Sequence, residues 1–225
     1  MRVINLLIIV GLILGTISCS NKTNSQAAKQ IKNSDLFSLF RDIQAENLHV
    51  WAKSDKPNGD KFQGKMIDTV YFPLFGNFMD QFKQYYTDPK TKITKYSGYY
   101  LYACYKFIIN DHLLGLLIRE PSQYEESAIG LWIYDSKTDK LTKSVDLADG
   151  FGDENWYFNK DSWIQKSTNS LRVITRQLDH EINETTSIDS IISDQFEFYN
   201  FESDQFVKVD TLEISKIDFK LFDEK

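Results

Sequence analysis

The sequence predicts an α+β fold that is mainly β: an antiparallel β meander or curved sheet over residues ~96–220, with one or two N-terminal helices packed on it. Three observations predict it. From Tyr96 onward, aromatic and β-branched runs of strand length alternate with polar turns. Between residues 35 and 86, apolar side chains instead recur every three to four positions. Proline is scarce (4) and aromatics are abundant (12 Tyr, 16 Phe, 4 Trp), the balance of a packed, strand-rich domain.

Taken in order, Ser34 or Asp35 can cap a helix over about 35–46, with Leu36, Leu39, Phe40 and Ile43 on one face. Residues 53–65 form a loop, since Pro57-Asn58-Gly59-Asp60 is turn chemistry. MIDTVYF reads as a strand. A second helix follows over PLFGNFMDQFKQYYTDP, with Pro73 in its first turn, Asp88-Pro89 at its exit and Gly76 against it.

Tyr99 to Ile109 and the LLGLLIRE run, joined by Asn110-Asp111-His112, make the best hairpin in the chain. Both strands are apolar at nearly every position, so they belong in the middle of a sheet covered on both faces. AIGLWIYD, a DSKTDK turn and LTKSVDL make a second hairpin. DGFGDEN (149–155) reads as an acidic glycine loop before WYFNKDSWI. SLRVITRQL alternates as a strand with one more polar face, and TTSIDSII, QFEFYNF, QFVKV and LEISKIDF follow as shorter strands. Residues 133–143 and 198–208 echo each other as strand, acidic-serine turn, strand. A β-propeller would explain such an echo, but four blades of roughly 40–45 residues do not fit.

Ahead of the domain, Arg2, an almost unbroken apolar run from Val3 to Ile17 and small Ser18 have the layout of a secretory signal peptide. The run falls short of the roughly 20 residues that a comfortable membrane span needs. Gly15-Thr16-Ile17-Ser18-Cys19 resembles the lipobox of bacterial lipoproteins, with Thr16 in place of the commoner leucine. The resemblance covers the leader alone. It implies cleavage before Cys19 and acylation of that cysteine, including palmitate. It also implies an anchor in the membrane with no spanning helix, because several acyl chains hold a soluble domain at about 0.8 kcal/mol per buried CH2. Lipoprotein sorting rules, with Ser20 in place of aspartate and no acidic run after Cys19, point to the periplasmic face of the outer membrane. Residues 20–33 are polar and serve as a tether. The expected organisation is therefore a signal peptide at 1–18, a lipidated cysteine and tether at 19–33, and one β-rich domain at 34–225.

The formal charge of −6, from 26 Lys plus Arg and 32 Asp plus Glu, is mixed along the chain and argues against nucleic acid as a partner. After Cys19 only Cys104 remains, so no internal disulfide is available and Cys104 reads as a small buried side chain. His49, His112 and His180 lie in no metal-spaced pair and read as surface residues. There is no GxSxG, HExxH, P-loop or GxGxxG motif, and no cofactor or metal is expected.

One segment combines aromatics with carboxylates. Residues 146–163 carry Asp149, Asp153, Glu154 and Asp161 beside Trp156, Tyr157 and Trp163. Such sets grip sugars, and glycine loops with oxygen ligands hold Ca2+, although the Asp149–Asp153 spacing does not fit an EF-hand. The plain alternative is a turn followed by core strands. The binding candidates are Asp149, Asp153, Glu154, Trp156 and Trp163, with Cys19 for lipidation. The expected function is a non-enzymatic, lipid-anchored binding or structural domain that contacts an envelope protein or a glycan. A periplasmic glycan hydrolase using carboxylates of 146–161 is the alternative. A small immunity or inhibitor lipoprotein is a further one.

Overall fold

Strand pairing organises the chain from residue 41 onward. The computed structural model describes residues 33–52, 61–122, 128–153, 155–168 and 170–209. Among these residues the helical elements are α1 (Asn33–Phe37) and a 3-10 segment, Thr69–Gln81. The early strands are β1 (Arg41–Asp42), β2 (Leu48–Trp51), β3 (Lys65–Met66), β4 (Tyr85–Thr87) and β5 (Thr94–Tyr96). The meander follows as β6 (Tyr102–Ile108), β7 (Leu113–Glu120), β8 (Ala128–Asp135), β9 (Lys140–Asp153), β10 (Trp156–Lys166), β11 (Leu171–Ile182), β12 (Asp189–Glu202) and β13 (Gln205–Val209). Neighbouring strands from β6 to β13 pair antiparallel in sequence order, in a sheet with eleven strands among the described residues. β1 adds to β6 in parallel, β3 also pairs β6, and β4–β5 stand apart as a two-stranded sheet. The fold is the mainly-β, α+β curved sheet that the residue pattern predicts.

The curvature comes from partner exchange. β9 pairs with β8 as far as Ala148, then with β10 from Asp149 to Asp153. β10 leaves β9 after Lys160 and takes β2 at Asp161 to Ile164. The two halves of the sheet therefore turn across β9 and β10 and bury one shared core. Cys104, Phe107, Leu117, Leu131 and Val145 of the first half belong to the same cluster as Val50, Ile164 and Val173 of the second. Hairpin tips fasten the halves: Asp204 between β12 and β13 bonds His112 (3.1 Å) and Asn110 (3.3 Å) between β6 and β7.

The opposite face of the first half carries a second core. Leu116, Ile118 and Trp132 project there and are covered by Leu36 and Phe40 from the α1 region and by Phe72, Phe75 and Met79 of the 3-10 segment. The β6–β7 hairpin is thus covered on both faces, as its continuous apolar runs require.

The N-terminal helices are shorter than their periodicity predicts. The helix predicted over 35–46 ends at Phe37, because Arg41 and Asp42 pair with Tyr105 and Lys106 and the Ile43 amide donates to the Lys106 carbonyl (3.0 Å). The predicted second helix is a 3-10 segment broken at Gly76 (φ 56°), and Tyr85–Thr87 is a strand. Asp88 does not end a helix. Its carboxylate accepts the Lys90 (2.7 Å) and Thr91 (3.2 Å) amides and closes the β4–β5 turn. Of MIDTVYF, only Met66 lies in a strand. Residues 149–153 continue β9 and are not a loop. The second half of TTSIDSII, from Asp189, merges with QFEFYNF into β12, with a bulge opposite Asp179 and His180. The echo between 133–143 and 198–208 is the β8–β9 hairpin matched by the β12–β13 hairpin. Cys19, the leader, the tether to residue 32, the turn at 57–60 and LEISKIDF lie outside the described residues. Among the described residues no helix is long and apolar enough to cross a membrane.

Candidate functional site

The register of β9 and β10 separates the acidic-aromatic residues of 146–163. Asp149 stands opposite Lys160, Phe151 opposite Phe158, and Asp153 opposite Trp156. Side chains alternate across a strand, so Asp149, Asp153 and Trp156 share one face while Asp161 and Trp163 lie on the other. Asp149 accepts from the Ser122 hydroxyl (2.9 Å) and the Gly150 amide (2.8 Å). Asp153 is exposed, four residues along the same strand, about 13 Å away at the rise of an extended chain. That exceeds the separations that either mode of glycoside hydrolysis uses, about 5–9.5 Å. Trp156 is exposed and clusters with Phe151 (6.0 Å) and Phe158 (5.8 Å). Glu154 lies outside the described residues. Trp163 is buried and stacks on His49 at 4.7 Å, while His49 Nε2 meets Asp161 at 2.7 Å. Asp149, Asp153 and Asp161 therefore do not converge on one pocket with a tryptophan.

The histidines are less exposed than their surroundings in the sequence imply. Each is partly buried against an aspartate: His49 with Asp161, His112 with Asp204 (3.1 Å) and His180 with Asp189 (3.1 Å). Among the described residues no group of three or more potential ligands could hold a metal ion. Cys104 is buried, and its thiol donates to the Phe62 carbonyl (2.9 Å).

A different cluster has the geometry of a site. Glu120 ends β7, on the face covered by the 3-10 segment, and is 1% exposed. Its carboxylate accepts from Trp132 Nε1 and, at 2.6 Å, from Lys143 Nζ. Trp132 and Lys143 are cross-strand partners on β8 and β9. Register shifts in this pairing let Asp146, three residues beyond Lys143, reach the same ammonium at 2.6 Å. In an unbroken strand residues 143 and 146 would face opposite sides, so the irregularity assembles the group. Gly130 completes it: an added Cβ would run into the Glu120 carboxylate.

Burial pushes the Glu120 carboxyl above the ordinary glutamate value, against the pull of Lys143 and the two hydrogen bonds. For Lys143, burial alone would lower the ammonium's pKa, but the charge of Glu120 and the bond to Asp146 outweigh it and raise it. The lysine proton is therefore held firmly, and the Glu120 carboxyl is the member of the pair that takes up a proton more readily than usual.

Over this group lies a cleft of about 530 Å3 between the 3-10 segment and the β8–β9 hairpin. Its apolar walls include Leu36, Phe37, Leu74, Phe78 and Leu141. Phe75 and Phe78 meet Trp132 edge-on at 5.1 Å and 5.3 Å, and Lys143 Nζ sits 4.6 Å from the Phe78 ring centroid. At the other end Asp139 accepts from Asn33 and from the Tyr134 hydroxyl (2.7 Å). Gly76, in its positive-φ conformation, lies on the lining where the 3-10 segment breaks. The signal for this site in the sequence is slight: one acid beside Arg119 at the end of an apolar run. Its partners come from two other strands. No protein-family model, curated protein or solved structure matches the chain.

Proposed function

We propose that the protein is a lipid-anchored cell-envelope lipoprotein whose β domain binds rather than catalyses, with the cleft between Thr69–Gln81 and the β8–β9 hairpin as its ligand seat. The attachment rests on the leader and Cys19, with the periplasmic face of the outer membrane as the expected location. The binding reading rests on the cleft itself. Its volume is in the range of small-ligand sites, its walls are largely apolar and aromatic, and two of its polar groups are held in place. Lys143 is held by Glu120 and Asp146, and Asp139 by Asn33 and Tyr134. Groups so bonded to one another suit orientation of a ligand more than proton transfer.

The test uses anilinonaphthalene sulfonate, which carries an aromatic body and one anionic group. The dye is expected to bind saturably at one site, and Leu141→Trp, which fills the cleft from its half-buried wall, is expected to abolish that binding while the circular dichroism spectrum is retained. Absence of saturable binding, or equal binding by the filled variant, overturns the assignment.

A further inference from the structure

The β4–β5 hairpin stands off the main sheet and exposes apolar and basic groups together. Tyr96 attaches it, meeting Phe72 at 5.6 Å and Tyr100 at 5.1 Å. Tyr85, the cross-strand partner of Tyr96, is 63% exposed, and beyond this pair Tyr86 is 57% and Ile93 55% exposed. Successive strand residues point to opposite faces, so Tyr85 and Tyr86 present apolar surface on both sides of the hairpin. A two-stranded hairpin is marginal in water by itself, and adjoining exposed apolar groups mark a contact surface.

The charge around them is positive in a chain whose net charge is −6. Lys90 and Lys92 lie in the turn and Lys95 on β5, and none of the three forms an ion pair among the described residues. The one acid in the turn, Asp88, has its carboxylate engaged with the Lys90 and Thr91 amides.

We propose that the β4–β5 hairpin is a membrane-contact element whose tip enters the headgroup layer of an anionic phospholipid bilayer. Tyrosines sit well at that level, apolar body inward and hydroxyl in the wet layer. The lysine stems can lie along the apolar surface while their ammonium groups reach phosphates. A soft layer surrounds an inserted tip, which matches apolar exposure on both faces. A flat protein or glycan partner would cover one face only. This contact is separate from the cleft and does not need the lipid on Cys19. It would orient the domain on the surface to which the anchor tethers it.

Residues 31–225 form one compact unit, and the described cores draw only on residues within it, so this part tests the contact without the leader. It should co-sediment with vesicles of phosphatidylcholine mixed with phosphatidylglycerol, and not with phosphatidylcholine alone or in high salt. Lys90→Glu, Lys92→Glu and Lys95→Glu together should weaken vesicle binding roughly 100-fold or more, and Tyr86→Ser with Ile93→Ser should weaken it at least about tenfold. Lys137→Glu, on the β8–β9 turn, should leave it unchanged. All these sites are exposed, so folding is expected to survive and is checked by circular dichroism. No binding to the mixed vesicles overturns the proposal. So does equal binding by the hairpin variants, or retention on an anionic polysaccharide without vesicle binding. Because this chain lacks Cys19, failure here leaves the lipid-anchor reading standing.

Discussion

The carboxylate of Glu120 occupies the space that a side chain at Gly130 would need. The two lie on neighbouring strands of the same face, and the carboxylate cannot swing aside without leaving Trp132 and Lys143. Gly130→Ala should therefore destabilise the domain by about 1–3 kcal/mol, the usual cost of overpacking a core. In a Glu120→Ala background the same change should cost less, with a coupling of at least ~1 kcal/mol between the two sites. Urea unfolding of the four proteins measures it, and simple additivity would show that the two residues do not share this space.

The buried carboxyl also sets a pH dependence whose sign can be worked out. Glu120 has its pKa raised by burial above the ordinary 4.5, so the folded chain binds its proton more readily than the unfolded chain. The stability linked to this shift is fully present below 4.5 and is lost as pH rises through the folded value. Asp135 and Glu197 act oppositely. Hydrogen bonds, led by those from Thr138 and Lys208, depress them, so their contribution is lost as pH falls through their folded values. The two effects thus separate at the ordinary carboxylate range. Between neutrality and about 4.5 the urea midpoint should rise as pH falls, and Glu120→Gln should flatten that slope. An unchanged slope in the variant would remove Glu120 as its source.

Lys143 makes the complementary test. Lys143→Met leaves Glu120 buried beside an apolar side chain, and stranding one member of a buried pair costs about 3–5 kcal/mol. The loss should be greatest at neutral pH and should shrink in acid, where Glu120 takes up a proton. A loss independent of pH would mean that packing against Phe78, not charge, is what Lys143 contributes.

Pattern in the chain reveals the strands because their determinants are local. The β6–β7 hairpin is two apolar runs around Asn110, whose side chain accepts the His112 and Leu113 amides (3.1 and 3.0 Å). The helical reading of 73–89 is met only to Gln81, and by 3-10 turns, for a tertiary reason. Phe75, Phe78 and Phe82 recur as a helix would have them, but the layer they form is satisfied by 3-10 turns that change direction at Gly76. Residues 149–153 looked like a loop because glycines interrupt them. Gly152 is in fact a strand position, pressed against Tyr157 across the β9–β10 hairpin. Of the candidates at 149–163, Asp149, Asp153 and Trp156 share a face that Trp163 does not, and this division follows only once the β9–β10 register is known. The Glu120 site is the reverse case, since three strands and a bulge bring together residues that no spacing links.

Gly76 links the break in the 3-10 segment to the shape of the cleft. Its φ of 56° and ψ of −135° suit glycine, and a Cβ there would meet no atom within 4 Å. Gly76→Ala should cost about 1–3 kcal/mol through backbone strain alone. D-alanine at the same position, whose mirror-image preference matches these angles, should restore most of it. Equal loss with both enantiomers would point to a steric cause. Dye affinity at the cleft should follow the same order, since Gly76 lies on its lining.

Attachment to the membrane is the remaining prediction, and it turns on one atom, the Cys19 sulfur. If acyl chains on this sulfur hold the protein, Cys19→Ala should abolish acylation and shift the protein from the membrane fraction to the soluble fraction after carbonate or high-salt washing. High salt matters because it removes the electrostatic contact expected of the β4–β5 hairpin and leaves the acyl chains as the only strong attachment. Metabolic labelling with a palmitate analogue should mark the parent chain and not the variant. Retention of unlabelled Cys19→Ala in washed membranes would mean that the apolar run of 3–17 stays in place as an anchor, and the lipoprotein reading would fall.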